Sequence, residues 1–247
     1  MTFPYKSLLL LCFIFLLCPQ CTTPSSLSMK KLIVKKLIAN EGISIEEVDS
    51  LLSKENIEFQ SIDVQNWKNF PYQPKVQFRI AYSNQEFFLQ YRVKEKYLLA
   101  QCNLADDTCW PSNDSCVEFF VSPKSDSTYA NFEFSCIGYC LFQNGKQGKE
   151  RTRESLNVTQ NVRRVSSLGS ESFAQKEGEF EWLLTTAIPL SLLSNEAGES
   201  LSGKTWKANF YKCGDHLKEK HYLSWNPIDL PTPNFHCPTQ FGTLLFE

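Results

Sequence analysis

Carboxylates, an amide and a hydroxyl recur at alternate positions within residues 114–138. The stretch reads as two strands joined by a polar hairpin loop, and successive strand side chains point to opposite faces. Val117, Phe119 and Val121 therefore share one face, with Glu118 and Phe120 on the other. In the second strand Phe132, Phe134 and Cys136 share a face, opposite Asn131, Glu133 and Ser135. One face is apolar core. The other suits three uses: solvation or internal pairing, hydrogen bonding to a polar ligand, or a glycosidase acid and nucleophile pair made from Glu118 and Glu133. Side chains on a flat sheet face rarely enclose a substrate, which favours ligand hydrogen bonding over catalysis.

Two tryptophans flank polar loops. Trp110 lies in CWPSND, just ahead of the Glu118 strand, and Trp225 lies in LSWNP, where a strand gives way to a Pro-rich segment. A Trp plane covers the apolar C–H face of a sugar ring while carboxylates and amides take its polar edges. The competing reading makes each ring a plug at the end of a sandwich. Trp182 and Trp206 alternate with strand residues and are assigned to packing. His216, His221 and His236 lie near Cys213 and Cys237, but their spacing matches no zinc pattern. No G-x-S-x-G, phosphate-binding loop, dinucleotide fingerprint or H-E-x-x-H is present.

The elements that must position these residues are strands. Val76, Phe78, Ile80 and Tyr82 alternate with Gln77 and Arg79, Ser83 and Asn84 make a turn, and Phe87, Leu89, Tyr91 and Val93 return as a hairpin. Residues 31–38 read as an edge strand, and Ser44 with Glu47 as a capping box opening a short helix through Leu52. Further strands are expected at 97–104, 179–188, 205–213 and 242–246, and a charged mobile loop at 143–155. Together these predict an all-β, antiparallel β-sandwich of jelly-roll type with one or two short helices. The domain plan is a leader at 1–28, a strand and helix at 29–60 packing on the sandwich, and the sandwich itself at 61–247.

The 247 residues carry a net charge of -2 with signs interspersed, which excludes the basic stripe of a nucleic-acid binder. Aromatics reach 13%, in keeping with a well-filled β core. Lys6, an apolar run over 7–17 and Cys18-Pro-Gln-Cys21 read as a secretory or lipoprotein-type leader, too short for a transmembrane helix. Leu17 and Gln20 fit a lipidation signal poorly, so a lipid anchor is one alternative among exported destinations. Met29, followed by Lys-Lys-Leu-Ile, is an alternative start that would leave the protein cytoplasmic. Of the 10 Cys, three lie in the leader, and the odd remainder leaves at least one thiol unpaired. Cys102 and Cys109 bracket a short polar loop and can close as a disulfide in an oxidising compartment.

The combination DSCVEFF, YANFEFSCIG, WKANFYKCGD and SWNP, ending in FGTLLF, resembles the family 9 carbohydrate-binding modules, from about residue 61 to the end. The resemblance implies an antiparallel β-sandwich, a role in plant-polysaccharide degradation, and a glucan or xylan end held between two Trp rings. By motif, Trp110 is similar to the first Trp, Glu118 to the acidic partner on the following strand, and Trp225 to the second Trp. Asn131 and Glu133 fall on the polar strand face expected to meet the sugar, and Asn209 and Tyr211 are further candidates there. Trp110 precedes Glu118 by two residues more than in the family pattern. The resemblance allows a structural calcium, which no acidic cluster here marks, and otherwise implies no cofactor. The expected partner is a carbohydrate, bound by a non-catalytic monomer. A glycoside hydrolase, or an interaction module whose sugar site has decayed, are the alternatives.

Overall fold

The computed structural model describes Met1 and residues 28–38, 42–124, 127–148, 151–193 and 200–247. The expected leader, with Cys18 and Cys21, lies outside the described residues apart from its two ends.

In chain order the strands are β1 (Lys31–Lys36), β2 (Gln60–Ser61), β3 (Val64–Gln65), β4 (Lys75–Tyr82), β5 (Glu86–Ala100), β6 (Cys116–Ser122) and β7 (Thr128–Ser135). They continue with β8 (Cys140–Lys146), β9 (Arg151–Arg153), β10 (Arg163–Ser166), β11 (Phe173–Pro189), β12 (Thr205–Cys213), β13 (Tyr222–Ser224) and β14 (Gly242–Phe246). Two short helices are present, α1 (Val48–Lys54) and α2 (Leu156–Thr159). The sandwich expected from the alternation is what forms. One sheet runs β1-β14-β12-β6-β7-β8-β9 and the other β10-β11-β5-β4-β1.

Pairing is antiparallel except at β1. Lys31 to Val34 lie parallel to β14, and Lys35 and Lys36 lie parallel to β4. β1 is thus the strand on which the two sheets meet, which corrects the expectation of an edge strand. Its sequence misleads because Val34 is its one buried side chain, as at an edge. Ahead of α1, the Glu47 carboxylate accepts the Ser44 backbone N–H at 3.0 Å, the capping contact anticipated there. Residues 143–155 are not a loop throughout, since β8 and β9 pair within them.

Between the sheets the apolar faces meet as a continuous aromatic core. Phe78 of β4 stacks on Phe210 of β12 with ring centroids 3.6 Å apart, and Phe210 in turn lies 4.9 Å from Phe119 of β6. Each such ring removed from water contributes about 1.5–3 kcal/mol. Trp182 and Trp206 are buried, as their alternation required. One polar group crosses this core: Lys212 Nζ and Glu95 Oε2 form an ion pair at 2.9 Å with both side chains fully buried. Trp182 Nε1 donates to Glu95 Oε1 at 2.7 Å, and His221 Nε2 sits 2.9 Å from Lys212 Nζ. Burial and the neighbouring ammonium hold His221 well below the usual imidazole pKa, so it stays neutral.

Candidate functional site

The polar face read from 114–138 is the outer face of the β7-β6-β12 segment. Tyr211, Glu118 and Glu133 are directly opposed on the three strands, and Asn209, Phe120 and Asn131 form the next row. This face is largely covered. The Pro-rich segment after β13 folds across it, and the Phe235 ring lies flat on Tyr211, 4.1 Å away and 6° from parallel. The Tyr211 hydroxyl donates to the Phe235 carbonyl at 3.2 Å, while Trp67 Nε1 donates to the Leu230 carbonyl at 2.8 Å. These contacts hold the segment down and leave a cavity of about 260 Å³ at one end.

Trp110, Glu118 and Glu133 line that cavity, as do Ser112, Cys213 and Asp215 on the same side. Tyr222, Pro233, Asn234, Phe235 and His236 form the rest of the wall. Trp110 is 48% exposed, the one exposed tryptophan side chain among the described large hydrophobics. Its loop is closed by the Cys102–Cys109 disulfide. The Asp114 carboxylate accepts the Gln101 and Cys102 backbone N–H groups at 2.9 and 3.0 Å. Arg153 donates to the Cys109 carbonyl at 2.6 Å and lies 5.1 Å from the Trp110 ring centroid. The rim is tied across as well, since the Asp215 N–H donates to the Ser112 carbonyl at 2.8 Å.

The remaining expected residues fall elsewhere. Trp225 is a core residue, 2% exposed and edge-on to Phe78 and Phe210 on the inner side of the sheet. Its backbone N–H donates to the Phe210 carbonyl at 2.8 Å. A Cβ on Gly242 would stand 2.7 Å from the Trp225 ring, so the ring needs glycine there. The expectation of Trp225 as a sugar-facing wall is therefore corrected: no face of the ring is free. Asn209 is fully buried and accepts the Asn226 and Phe210 N–H groups, each at 2.9 Å, pinning the corner after β13. Tyr211 is buried beneath Phe235. Asn131 does not reach the cavity wall. It donates to Glu133 Oε1 at 2.9 Å and accepts from Arg151, so it orients Glu133.

Burial dominates the electrostatics. It pushes Glu118 well above the usual carboxylate range, helped by Cys213 and Glu133. Glu133 is raised to about 7 by burial, against the hydrogen bond from Asn131 and the Arg151 and Arg153 charges. His236 is lowered to about 4 by burial and Arg151, and its Nδ1 lies 2.8 Å from the Tyr129 hydroxyl. Asp215 accepts a hydrogen bond from the Tyr222 hydroxyl. The cavity's lining thus combines aromatic rings with carboxyl groups. A small ring with apolar faces and hydroxylated edges fits that combination.

Tyr222, Asn234, Phe235 and His236 were not anticipated. They sit in or beside a Pro-rich stretch with no strand period. The signal for them was present nonetheless: aromatic side chains flanked by polar loop residues.

Fold and cavity define a β-sandwich with a small amphipathic ligand site. The chain belongs to carbohydrate-binding family 9, whose sequence model matches residues 46–246. A candidate carbohydrate-binding protein from Bacteroides uniformis ATCC 8492 is 47% identical, covering 89% of this chain and 100% of that one with a TM-score of 0.84. A family 9 carbohydrate-binding module from Caldicellulosiruptor kristjanssonii solved with glucose is 13% identical at TM-score 0.51, covering 88% of this chain and 96% of that one. The module from the same organism solved with cellotriose is 14% identical at TM-score 0.53, covering 88% and 94%. At those identities the likeness is one of fold. No curated protein matches the chain.

Proposed function

We propose that the chain binds a mono- or oligosaccharide of plant-polysaccharide type, such as a xylan or glucan fragment, without cleaving it. The observation that carries the reading is the cavity: exposed Trp110, Phe235 and Tyr222 line it together with buried Glu118 and Glu133 and with Asp215. Trp110 covers a sugar face, and the carboxyl groups accept hydroxyl protons at its edges. At about 260 Å³ the cavity lies near the lower end of small-molecule sites, roughly 300–1,000 Å³, and suits one terminal ring better than a chain threaded through. Family membership supports the same reading. Ligand efficiency of about -0.3 kcal/mol per heavy atom gives a disaccharide about -7 kcal/mol, roughly micromolar.

Calorimetry with glucose, xylobiose, cellobiose and their reduced alditols tests it. Heat with at least one sugar, lost with the matching alditol, is the outcome for recognition of a terminal ring. No heat with any sugar, or undiminished binding in Trp110→Ala, overturns it. The Glu118 and Glu133 pair keeps a hydrolase as the second reading, because one carboxyl raised beside another is an acid and base arrangement. Against it, the two stand side by side on adjacent strands and do not flank a bond. Product release from aryl glycosides that disappears in Glu118→Gln would decide for cleavage. The reading includes export, supported by the leader pattern and by the disulfide at Cys102 and Cys109, and N-terminal sequencing of the native protein tests that part.

A further inference from the structure

Beside the cavity, two cysteines that sugar binding does not require gather around Glu118. Cys116 and Cys213 are directly opposed on β6 and β12, and Glu118 follows two residues after Cys116 on the same face. Glu118 Oε1 lies 3.1 Å from Cys213 Sγ and 3.8 Å from Cys116 Sγ. All three ligand atoms fall within 4.8 Å of one another, and all three residues are buried. No other trio of His, Cys, Asp or Glu among the described residues gathers this way. Thiols are weak donors, so a carboxylate oxygen served by two of them is poorly compensated for its loss of water.

We propose that Cys116, Cys213 and Glu118 bind a thiophilic divalent cation of the zinc class, with the cavity supplying its fourth position. A tetrahedral zinc ion holds sulfur at ~2.3 Å and carboxylate oxygen at ~2.0–2.2 Å, which spaces its ligand atoms roughly 3.6–3.8 Å apart. The two sulfur–oxygen distances, 3.1 and 3.8 Å, bracket that spacing and the ligand atoms all lie within 4.8 Å, so side-chain shifts of about 1 Å or less complete the site. Two thiolates mark the site as soft, selecting zinc over calcium or magnesium. Strand pairing fixes the two cysteines, and the third ligand is on the same rigid strand as the first. Cys213 and Glu118 also line the cavity, so the open position faces it and takes water or a hydroxyl of a bound molecule. Ligation through Glu118 Oε1 leaves Oε2 as an acceptor. Thiols ligate as thiolates, so the ion displaces protons as it binds. Metal binding is read without any glycan, so it stands or falls separately from the sugar reading.

The test is a titration of the full chain, metal-free and kept under inert gas, with cobalt(II) as a spectroscopic stand-in and zinc as competitor. Saturation at one ion per chain is expected, with thiolate-to-cobalt charge transfer and the strong d–d absorption of a tetrahedral site, both abolished by zinc. Cys116→Ser and Cys213→Ser should each remove the charge-transfer band, Glu118→Gln should weaken binding at least about tenfold, and Cys237→Ser should change nothing. Absence of a saturable thiolate band, or its survival in Cys213→Ser, overturns the proposal. So does a Cys116–Cys213 disulfide in non-reducing peptide maps of the purified chain. If the serine variants fail to fold, X-ray absorption of the zinc-loaded wild type decides: two sulfur ligands are expected, and a sphere without sulfur overturns it.

Discussion

Glu118 and Glu133 are directly opposed on β6 and β7, and burial there disfavours the charged form of each. Glu133 is raised from 4.5 to about 7, so the folded chain holds that proton where the unfolded chain has lost it. Its stabilising contribution is full below the unfolded value and is lost as pH rises through about 7, a change of up to ~3 kcal/mol. Urea unfolding between about pH 5 and pH 8 should show this decline, and Glu133→Gln should make it shallower, the remainder coming from Glu118. Sugar affinity should move the other way, because the ionised carboxylate is the stronger acceptor. The two tryptophans make a second prediction. Trp110→Ala should weaken sugar binding by about tenfold or more, some 1.4 kcal/mol, with little change in stability. Trp225→Ala should instead cost roughly 3–5 kcal/mol in denaturant, since it empties a core site between Phe78 and Phe210. A calorimetric deficit in Trp225→Ala with unchanged stability would contradict the core placement.

The loop carrying Trp110 depends on three restraints: the disulfide, Asp114 and Arg153. A disulfide closing so short a loop contributes about 2–3 kcal/mol. Cys102→Ser with Cys109→Ser should lower unfolding stability by that order and weaken sugar binding further than the fold loss explains, because the Trp110 ring loses its anchor. Strand alternation made much of this readable in advance. Val117, Phe119 and Val121 face the core, and Glu118 and Glu133 face away, as their period dictates. What the pattern could not carry was coverage. Whether a polar face is open depends on where a Pro-rich segment folds, and residues 225–241 have no period that reveals it. Trp225 escapes the pattern for the same reason, because the residue closing a strand can turn to either side. Residues 143–155 looked mobile through their charges, yet Arg151 and Arg153, two apart, share a face and brace Asn131 and the Trp110 loop.

Across the whole molecule, the polar pair Lys212–Glu95 joins the two sheets through an apolar interior. Breaking it from one side leaves a buried charge unpaired. Lys212→Met should therefore cost about 3–5 kcal/mol, whereas Lys212→Met combined with Glu95→Leu should recover most of the loss. A double-mutant cycle in guanidinium reads the difference, and additivity of the two single losses would show that the pair is not coupled. The junction at β1 has a different reach. Lys31 pairs with Thr243 and Lys36 with Tyr82, so the first strand cannot complete its ladder until the last strand has been made. Contacts this distant in sequence are slow to form. A chain lacking β14 would leave β1 unpaired on that side. Deleting residues 242–246 would strip a neighbour from both β1 and β12, and so loosen both sheets at once.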